Sequence, residues 1–568
     1  MDRLRDHVVR SSIMFKRTDR QRSLFESGYS VSESASSRLR VTWADGFQAK
    51  VLPILLNSES DFAELYADAN GRPNWSVARM LGICVLQEML NLHDQEALDS
   101  LAFDVRWQHA LGMKPADAYL SRRSLVDFRS RLVAEDRDAT ALRRIFERIG
   151  ESAIRDLKIS TSEQRIDSTN ITSNILSRGR VDLFRKTLLL FLRWVSRESP
   201  EQLDKLSTGT RKWFAEIEEQ GWFGLGLSKE KAREILQVFA QRLHEIKVTF
   251  LDDELIRDSE EYALVIRVLD EHCHVVQINA PSTEVSSHGP VEIELRKHLE
   301  KPSTTLQSPF DPDAGYGYKG SGYTVQVAET CRNEHAEIIT DFEVVPSGKP
   351  DFGQEAAVID RLQACGVQPK ILYADGGYPT GEGILDAKSK GVELFAPVTG
   401  ASLPEGAIGR DQFTFDEATG DCTRCPAGHA PHRHADRSTS GERPSRHAYF
   451  DGAICRACPL LSHCIVRHPN NGRTGSYHLD IGANLIARDR ALVAQRTLSW
   501  RQKYKIRSGV EATMSELKRG HGMGRLRVRR LKRVRAAVAL KIIGCNVKRW
   551  LRACANCIEQ PVPVLAAA

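Results

Sequence analysis

Four side chains in one short stretch, Tyr504, Arg507, Glu511 and Lys518, have the types and spacing to hold a metal ion beside a phosphate. On a helix turning 100° per residue they fall at roughly 0°, 300°, 340° and 320°, a single stripe about 60° wide. Ile506, Val510, Met514 and Leu517 fall at roughly 200° to 280°, so the polar stripe borders the buried face and Glu511 belongs at the rim of a core. A carboxylate there suits a hard divalent cation, and a guanidinium and an ammonium beside it suit phosphate oxygens. An ordinary Arg/Glu pair at i,i+4 accounts for any one pair but not for the set. Beyond Lys518 come Arg519, Arg525, Arg527, Arg529, Arg530, Lys532, Arg533 and Arg535 without an intervening acid, although the whole chain carries only +6. A block this basic next to a metal-type carboxylate points to a nucleic-acid backbone as partner.

A second chemistry lies in the cysteines. Of the twelve in the chain, Cys422 and Cys425 form one CxxC pair, Cys455 and Cys458 another, and Cys464 follows six residues later. Two such pairs are the usual Cys₄ arrangement for Zn²⁺, each clipping one side of the ion. His429, His463 and Cys464 are also within reach, which leaves the fourth ligand open, and a Cys₄ iron-sulfur centre is the alternative. Four protein ligands leave no position for substrate, so the metal is expected to be structural. His272-Cys273-His274 is a poor chelate, because adjacent strand residues point to opposite faces. Cys554 and Cys557 lack a second pair.

Elements must bring these groups together. With 568 residues the chain needs several folding units. Residues 1–48 are charged, Ser-rich and weakly patterned, and read as a poorly ordered arm. From Val77 the apolar residues Met80, Leu81, Cys84, Val85 and Met89 keep helical spacing after Pro73-Asn74-Trp75-Ser76. Leu101–Met113 and Leu120–Leu132 read as further helices, the latter with Leu125, Phe128 and Leu132 inward and Arg122, Arg123, Arg129 and Arg131 outward. Such short helices with a basic outer face suit DNA binding as well as a plain bundle. Gln164–Ile171 reads as a strand with Asp167 in its middle. Residues 181–300 carry helical patterning of unreadable purpose. Tyr316–Thr330 alternates apolar and polar residues and pairs with Glu337–Val345 as a hairpin, with Lys319 near its start as a possible phosphate contact. Pro369–Ala374 is a buried strand that opens through Asp375-Gly376-Gly377 into a loop, the edge where open α/β sheets bind ligands. Asp311, Asp313, Asp341 and Asp351 compete with Asp375 but end no strand so clearly. Val538, Ile542, Cys545 and Val547 mark the core face of a last helix. No run reaches the roughly 18 apolar residues of a membrane span and the N-terminus lacks a signal-peptide core, so a cytoplasmic protein is expected.

The spacing Y(2)R(3)E(6)K resembles the signature of bacterial insertion-sequence transposases of the DDE type. Asp167-Ser168-Thr169 resembles the family's first catalytic strand, and YGYKGSGYTVQVAET its second and third. The resemblance spans most of residues 50–550. It implies an α/β fold in which an RNase-H-like catalytic core, a mixed sheet flanked by helices, is assembled from 159–180 and 301–400. Around it stand an all-α N-terminal domain at 49–158 for DNA binding or dimerisation, a helical insertion at 181–300 and a zinc-ribbon-like insertion at 401–485. The C-terminal core helices with the basic block occupy 486–552, and a tail follows at 553–568. It further implies that Asp167, Asp375 and Glu511 hold two Mg²⁺ (or Mn²⁺) ions, while Tyr504, Arg507, Lys518 and the arginines at 519, 525, 527 and 529 hold DNA. The expected partners are double-stranded DNA, both terminal inverted repeats and target, and a second copy on that DNA, in association with the nucleoid. Water would attack first and free a 3′-hydroxyl, which then attacks the target. The other classes are a transposase-derived DNA-binding protein without cleavage and a related nuclease without strand transfer.

Overall fold

The computed structural model describes residues 13–18, 32–66, 72–135, 139–172, 179–221, 228–277, 291–297, 303–318, 320–399, 406–416, 419–437, 445–467 and 475–559, with side chains of the last helix through 555. Lys319, the side chain of Cys557, most of the arm and the tail from 560 lie outside them.

A mixed sheet is built on β1 (Glu163–Ile171). On one side it pairs antiparallel with β3 (Gly320–Thr330), which takes the short β2 (Gly315–Gly317) at its start and pairs antiparallel with β4 (Ile339–Pro346). On the other side β1 pairs parallel with β5 (Ile371–Tyr373), and β5 with β6 (Glu393–Phe395). The alternation of β3 sets its two faces. Tyr323, Val325 and Val327 point into the same buried cluster as the N-terminal helices, and Ala328 joins Ile166 in a second cluster with Val358, Ile359 and Leu362. Those last three residues lie on α7 (Gln354–Ala364), which with α8 (Gly381–Ser389) covers that face.

The opposite face carries α1 (Val77–Leu90), α2 (Arg122–Glu135), α3 (Thr140–Asp156) and the long C-terminal helix α12 (Leu531–Glu559). The side chain of Ser76 caps α1, and Asn91 ends it in the left-handed region. α12 and α1 approach closely, since a Cβ on Gly544 would sit 2.8 Å from the Met89 amide nitrogen. The N-terminal helices and the sheet therefore share one continuous core with α12 between them, where the sequence suggested a separate domain. The stretch read as an arm also contains a helix, Glu33–Arg40, and a second short one, Trp43–Gly46, whose Ala44 is buried in this core. Of the arginines expected to face water on α2, Arg129 pairs with Asp94 at 2.7 Å and Arg131 lies over the Tyr66 ring at 5.1 Å. Only Arg122 and Arg123 stay exposed, which weakens the basic face.

The 181–300 insertion has its own core, formed by α4 (Arg180–Glu198), α5 (Lys229–Thr249) and α6 (Glu260–His272). It is not wholly helical, because Cys273–Gln277 and Val291–Leu295 form an antiparallel pair. The Cys-rich segment is a small β unit of β7 (Thr414–Phe415) with β8 (Cys422–Arg424), and β9 (Arg433–Arg437) with β10 (Ser445–Asp451) and β11 (Ser476–Asp480). Helix α9 (Ala483–Ala494) ties it to α8, where Gly381 is obligatory because a Cβ would lie 2.1 Å from the Asn484 carbonyl oxygen. Among the described residues no helix is long and apolar enough to cross a membrane.

Candidate active site

β1 and β5 are parallel neighbours, so the chain delivers Asp167 and Asp375 to the same end of the sheet. Asp375 lies two residues past β5, where its Oδ1 accepts from the Gly377 amide at 2.7 Å and holds the turn. The chain then returns as α10 (Leu498–Tyr504) and α11 (Val510–Ser515), and Glu511 sits in the first turn of α11. All three carboxylates converge on Arg507. Its Nη2 lies 2.8 Å from Asp167 Oδ2 and 3.6 Å from Asp375 Oδ2, and its Nη1 lies 3.3 Å from Glu511 Oε1. These four groups carry three negative charges against one positive, a surplus that matches a divalent cation. Their exposure rises outward: the side chains of Asp167, Asp375 and Glu511 are 13, 40 and 68% exposed, so Asp167 is enclosed by the fold and Glu511 meets solvent. The oxygens are spread around the guanidinium. Among the described residues the one trio of ligand atoms that all lie within 4.8 Å of one another is elsewhere, at Glu516, His521 and Cys545.

The stretch from Leu498 to Gly520 is helical throughout but not one α-helix. Lys505–Gly509 tightens to a 3₁₀ turn, and Glu516–Gly520 widens to a π turn. Val510, Met514 and Leu517 are buried as their spacing predicts, and Ile506 packs on Tyr373 and Phe395. A buried polar network fixes this helix to the sheet. Glu329, fully buried opposite Arg165, accepts from Arg165 Nε at 2.8 Å, Thr513 Oγ1 at 2.6 Å and Arg549 Nη1 at 3.1 Å. Arg165 Nη1 also donates to the Ile506 carbonyl at 2.9 Å, one residue before Arg507. Gly509 permits this approach, since a Cβ there would lie 2.0 Å from Arg165 Nη1.

Sequence reasoning missed these supports. Arg165 is two residues before Asp167 and so shares its strand face, and the charged residues at 165 and 329 within the two strand segments were the available signal. Asp351 was a rival catalytic carboxylate; its Oδ2 accepts from the hydroxyl of Ser168, next to Asp167, at 2.6 Å. The other rivals have structural work. Asp341 is buried between Arg143 and Arg361, while Asp311 and Asp313 accept from the Arg530 and Leu531 amides at the start of α12.

Tyr504 was expected to hold DNA, but its hydroxyl donates to the Ala374 carbonyl at 3.1 Å and its ring stacks on Trp500 at 4.8 Å. It braces the strand end that carries Asp375. Burial pushes the phenol up to about 12, with Arg507 opposing the shift. Lys518, Arg519, Arg525 and Arg527 are exposed and Arg529 half-buried, its guanidinium 5.6 Å from the Phe310 ring. The start of the basic block pairs with the residue that follows β1: Thr172 donates to the Gly524 carbonyl, and Leu526 donates to that of Thr172, each at 3.2 Å. Arg525 is thereby held beside Thr172, just beyond the C-terminal end of β1 and five residues past Asp167.

In the β unit Cys425, Cys455, Cys458 and Cys464 line one cavity with His429 at its wall. Cys422 is not in that lining. It sits on β8 and is buried, with its thiol directed to the Arg424 carbonyl at 3.7 Å. The turn facing the cavity begins at Cys425, where Gly428 adopts φ +85° and donates to the Cys425 carbonyl at 2.8 Å. Burial, then the neighbouring Cys425, Cys464 and Cys458, pushes the Cys455 thiol up to about 11.

Comparison with curated proteins and with solved structures returns no significant match. Two family models do match. Residues 45–131 match one described as a transposase domain (DUF772), within the N-terminal helices. Residues 424–551 match one described as a transposase DDE domain, which takes in Glu511 and the cavity cysteines and leaves Asp167 and Asp375 outside. Together these matches support a transposase of the DDE type, an enzyme class that acts on DNA and uses divalent metal.

Proposed function

We propose that this chain cleaves DNA at the ends of an insertion sequence and joins those ends to target DNA by metal-dependent phosphoryl transfer. The observation that carries the reading is the meeting of Asp167, Asp375 and Glu511 on Arg507 from two parallel strands and a helix. The strand order β6-β5-β1-β3-β4, with β1 antiparallel to β3 and parallel to β5, supports an RNase-H-like core. The three carboxylates offer the hard oxygen donors that Mg²⁺ or Mn²⁺ prefers, and two such ions would activate the attacking oxygen and stabilise the leaving one. Asp167 and Asp375 are held by the sheet, and the exposed Glu511 closes the set. Arg507 neutralises part of their charge and, once metal ions take its place among the carboxylates, would grip two oxygens of a phosphate with its two Nη groups. Lys518, Arg519, Arg525, Arg527 and Arg529 would track the backbone of the DNA, and two copies would bring two ends together.

For the structural metal we assign Zn²⁺ to Cys425, Cys455, Cys458 and Cys464, on the strength of their shared cavity; this puts Cys464 in the place the spacing gave to Cys422. The test of the function is a strand-transfer assay with a precut end taken from the DNA flanking the coding sequence, a supercoiled target and Mg²⁺. Joined product is expected. Hydrolysis without joining would replace the proposal with a nuclease, and binding without either reaction would leave a DNA-binding protein.

A further inference from the structure

Five residues past Glu511 the catalytic helix widens into its π turn, and the His521 amide donates to the Glu516 carbonyl at 3.2 Å. In an α-helix residues five apart diverge by roughly 140°, whereas an i to i+5 turn stacks them on one face. Glu516 and His521 thus meet Cys545 of α12, and their ligand atoms all lie within 4.8 Å of one another. His521 is fully buried. Its Nδ1 lies 2.8 Å from the Glu88 carbonyl oxygen, which can only accept, so Nδ1 carries the proton and Nε2 presents its lone pair. That Nε2 has no hydrogen-bond partner and lies 4.0 Å from Glu516 Oε1. Arg549 holds the other oxygen of Glu516, Nε at 3.0 Å and Nη2 at 2.7 Å, which orients Oε1 toward the imidazole. Of the adjacent cations, Arg549 is also paired with Glu329 at 3.1 Å and Lys541 with Glu88 at 2.6 Å, while the charge of Lys548 also reaches the three groups.

We propose that Glu516, His521 and Cys545 hold a transition-metal ion of the zinc class. One imidazole nitrogen, one sulfur and one carboxylate oxygen form a donor set that Zn²⁺ accepts, and a carbonyl on the far ring nitrogen is the usual orienting partner of a ligating histidine. Contraction by under about 1 Å brings the three atoms to tetrahedral bonding distance. The ion joins the catalytic helix to the C-terminal helix at a point where the backbone of α1 is already hydrogen-bonded. It is separate from the four-cysteine cavity and from the Asp167 cluster, and it stands whether or not Glu511 catalyses.

The test is zinc content of the full-length chain by elemental mass spectrometry, with wild type, His521→Gln and Cys545→Ala compared after circular dichroism has verified their fold. Each variant is expected to carry one zinc equivalent fewer than wild type, and Cys458→Ser to lose a different one. Unchanged zinc in His521→Gln and Cys545→Ala would overturn the proposal. X-ray absorption of zinc-loaded wild type keeps it falsifiable should the variants fail to fold. Nitrogen and oxygen scatterers beside sulfur are expected, and a pure four-sulfur shell would overturn it.

Discussion

Glu511→Gln separates catalysis from folding at one atom pair. The carboxylate is 68% exposed and meets Arg507 Nη1 at 3.3 Å in an i,i+4 pair, so its removal should cost under about 0.5 kcal/mol of stability. As a metal ligand the same group should matter far more. Its loss is expected to lower the cleavage rate at least about 10³-fold, which is about 4 kcal/mol of transition-state stabilisation. The two effects differ by roughly a factor of eight in free energy, so they cannot be confused. The assay is nicking of a supercoiled plasmid that carries the DNA flanking the coding sequence, read on denaturing gels in Mg²⁺, with gel-shift binding and urea unfolding run in parallel. Binding and the unfolding midpoint should stay near wild type while nicking disappears. Retention of a tenth or more of the nicking rate, or a loss of activity that follows a loss of fold, would refute the assignment of Glu511.

Glu329→Gln should do the reverse, because it strips the charge from a fully buried carboxylate facing two guanidinium groups; a loss of about 3 kcal/mol or more is expected in urea unfolding. Cys464→Ser should release zinc from the four-cysteine cavity on mild chelation while Cys422→Ser retains it, measured with a colorimetric zinc indicator. His272 is buried, and burial followed by the Arg180 charge pushes its imidazole down to about 4. The unfolded chain then binds a proton near pH 6.5 that the folded insertion refuses, so stability of α4 and α6 should fall as pH drops from about 6.5 toward 4, by on the order of 3 kcal/mol. Hydrogen exchange of those helices should show the decline, and His272→Phe should abolish it. Arg525→Ala should weaken DNA binding and reduce its salt slope by about one, as a phosphate contact requires.

What lies along one helix was legible from sequence, because covalent geometry fixes which side chains share a face. Tyr504, Arg507, Glu511 and Lys518 were singled out this way, and Val510, Met514 and Leu517 bury the predicted side. Strands too were legible where alternation was strong, as in β3 and β4. The π turn at Glu516–Gly520 was not, since one extra residue per turn leaves no local mark in composition and its effect appears only when His521 meets Cys545. Nor was the role of Tyr504, which follows from Trp500 and Ala374 rather than from its own spacing.

The sequence by itself determined the residue types on the helix of Glu511, the basic block after it and the presence of a cysteine cluster, all short-range properties of the polymer. The tertiary structure decided how the aspartates are brought to Glu511. Asp167 and Asp375 become neighbours through the parallel pairing of β1 with β5, while Asp311, Asp313 and Asp341 are spent on a helix start and an ion pair. It also decided which cysteines face one cavity, because the fold brings Cys464 to Cys425, Cys455 and Cys458 while Cys422 is buried outside that lining. The physical reason is common to both cases: long-range pairing is set by the summed burial of whole elements, and no single residue carries that information.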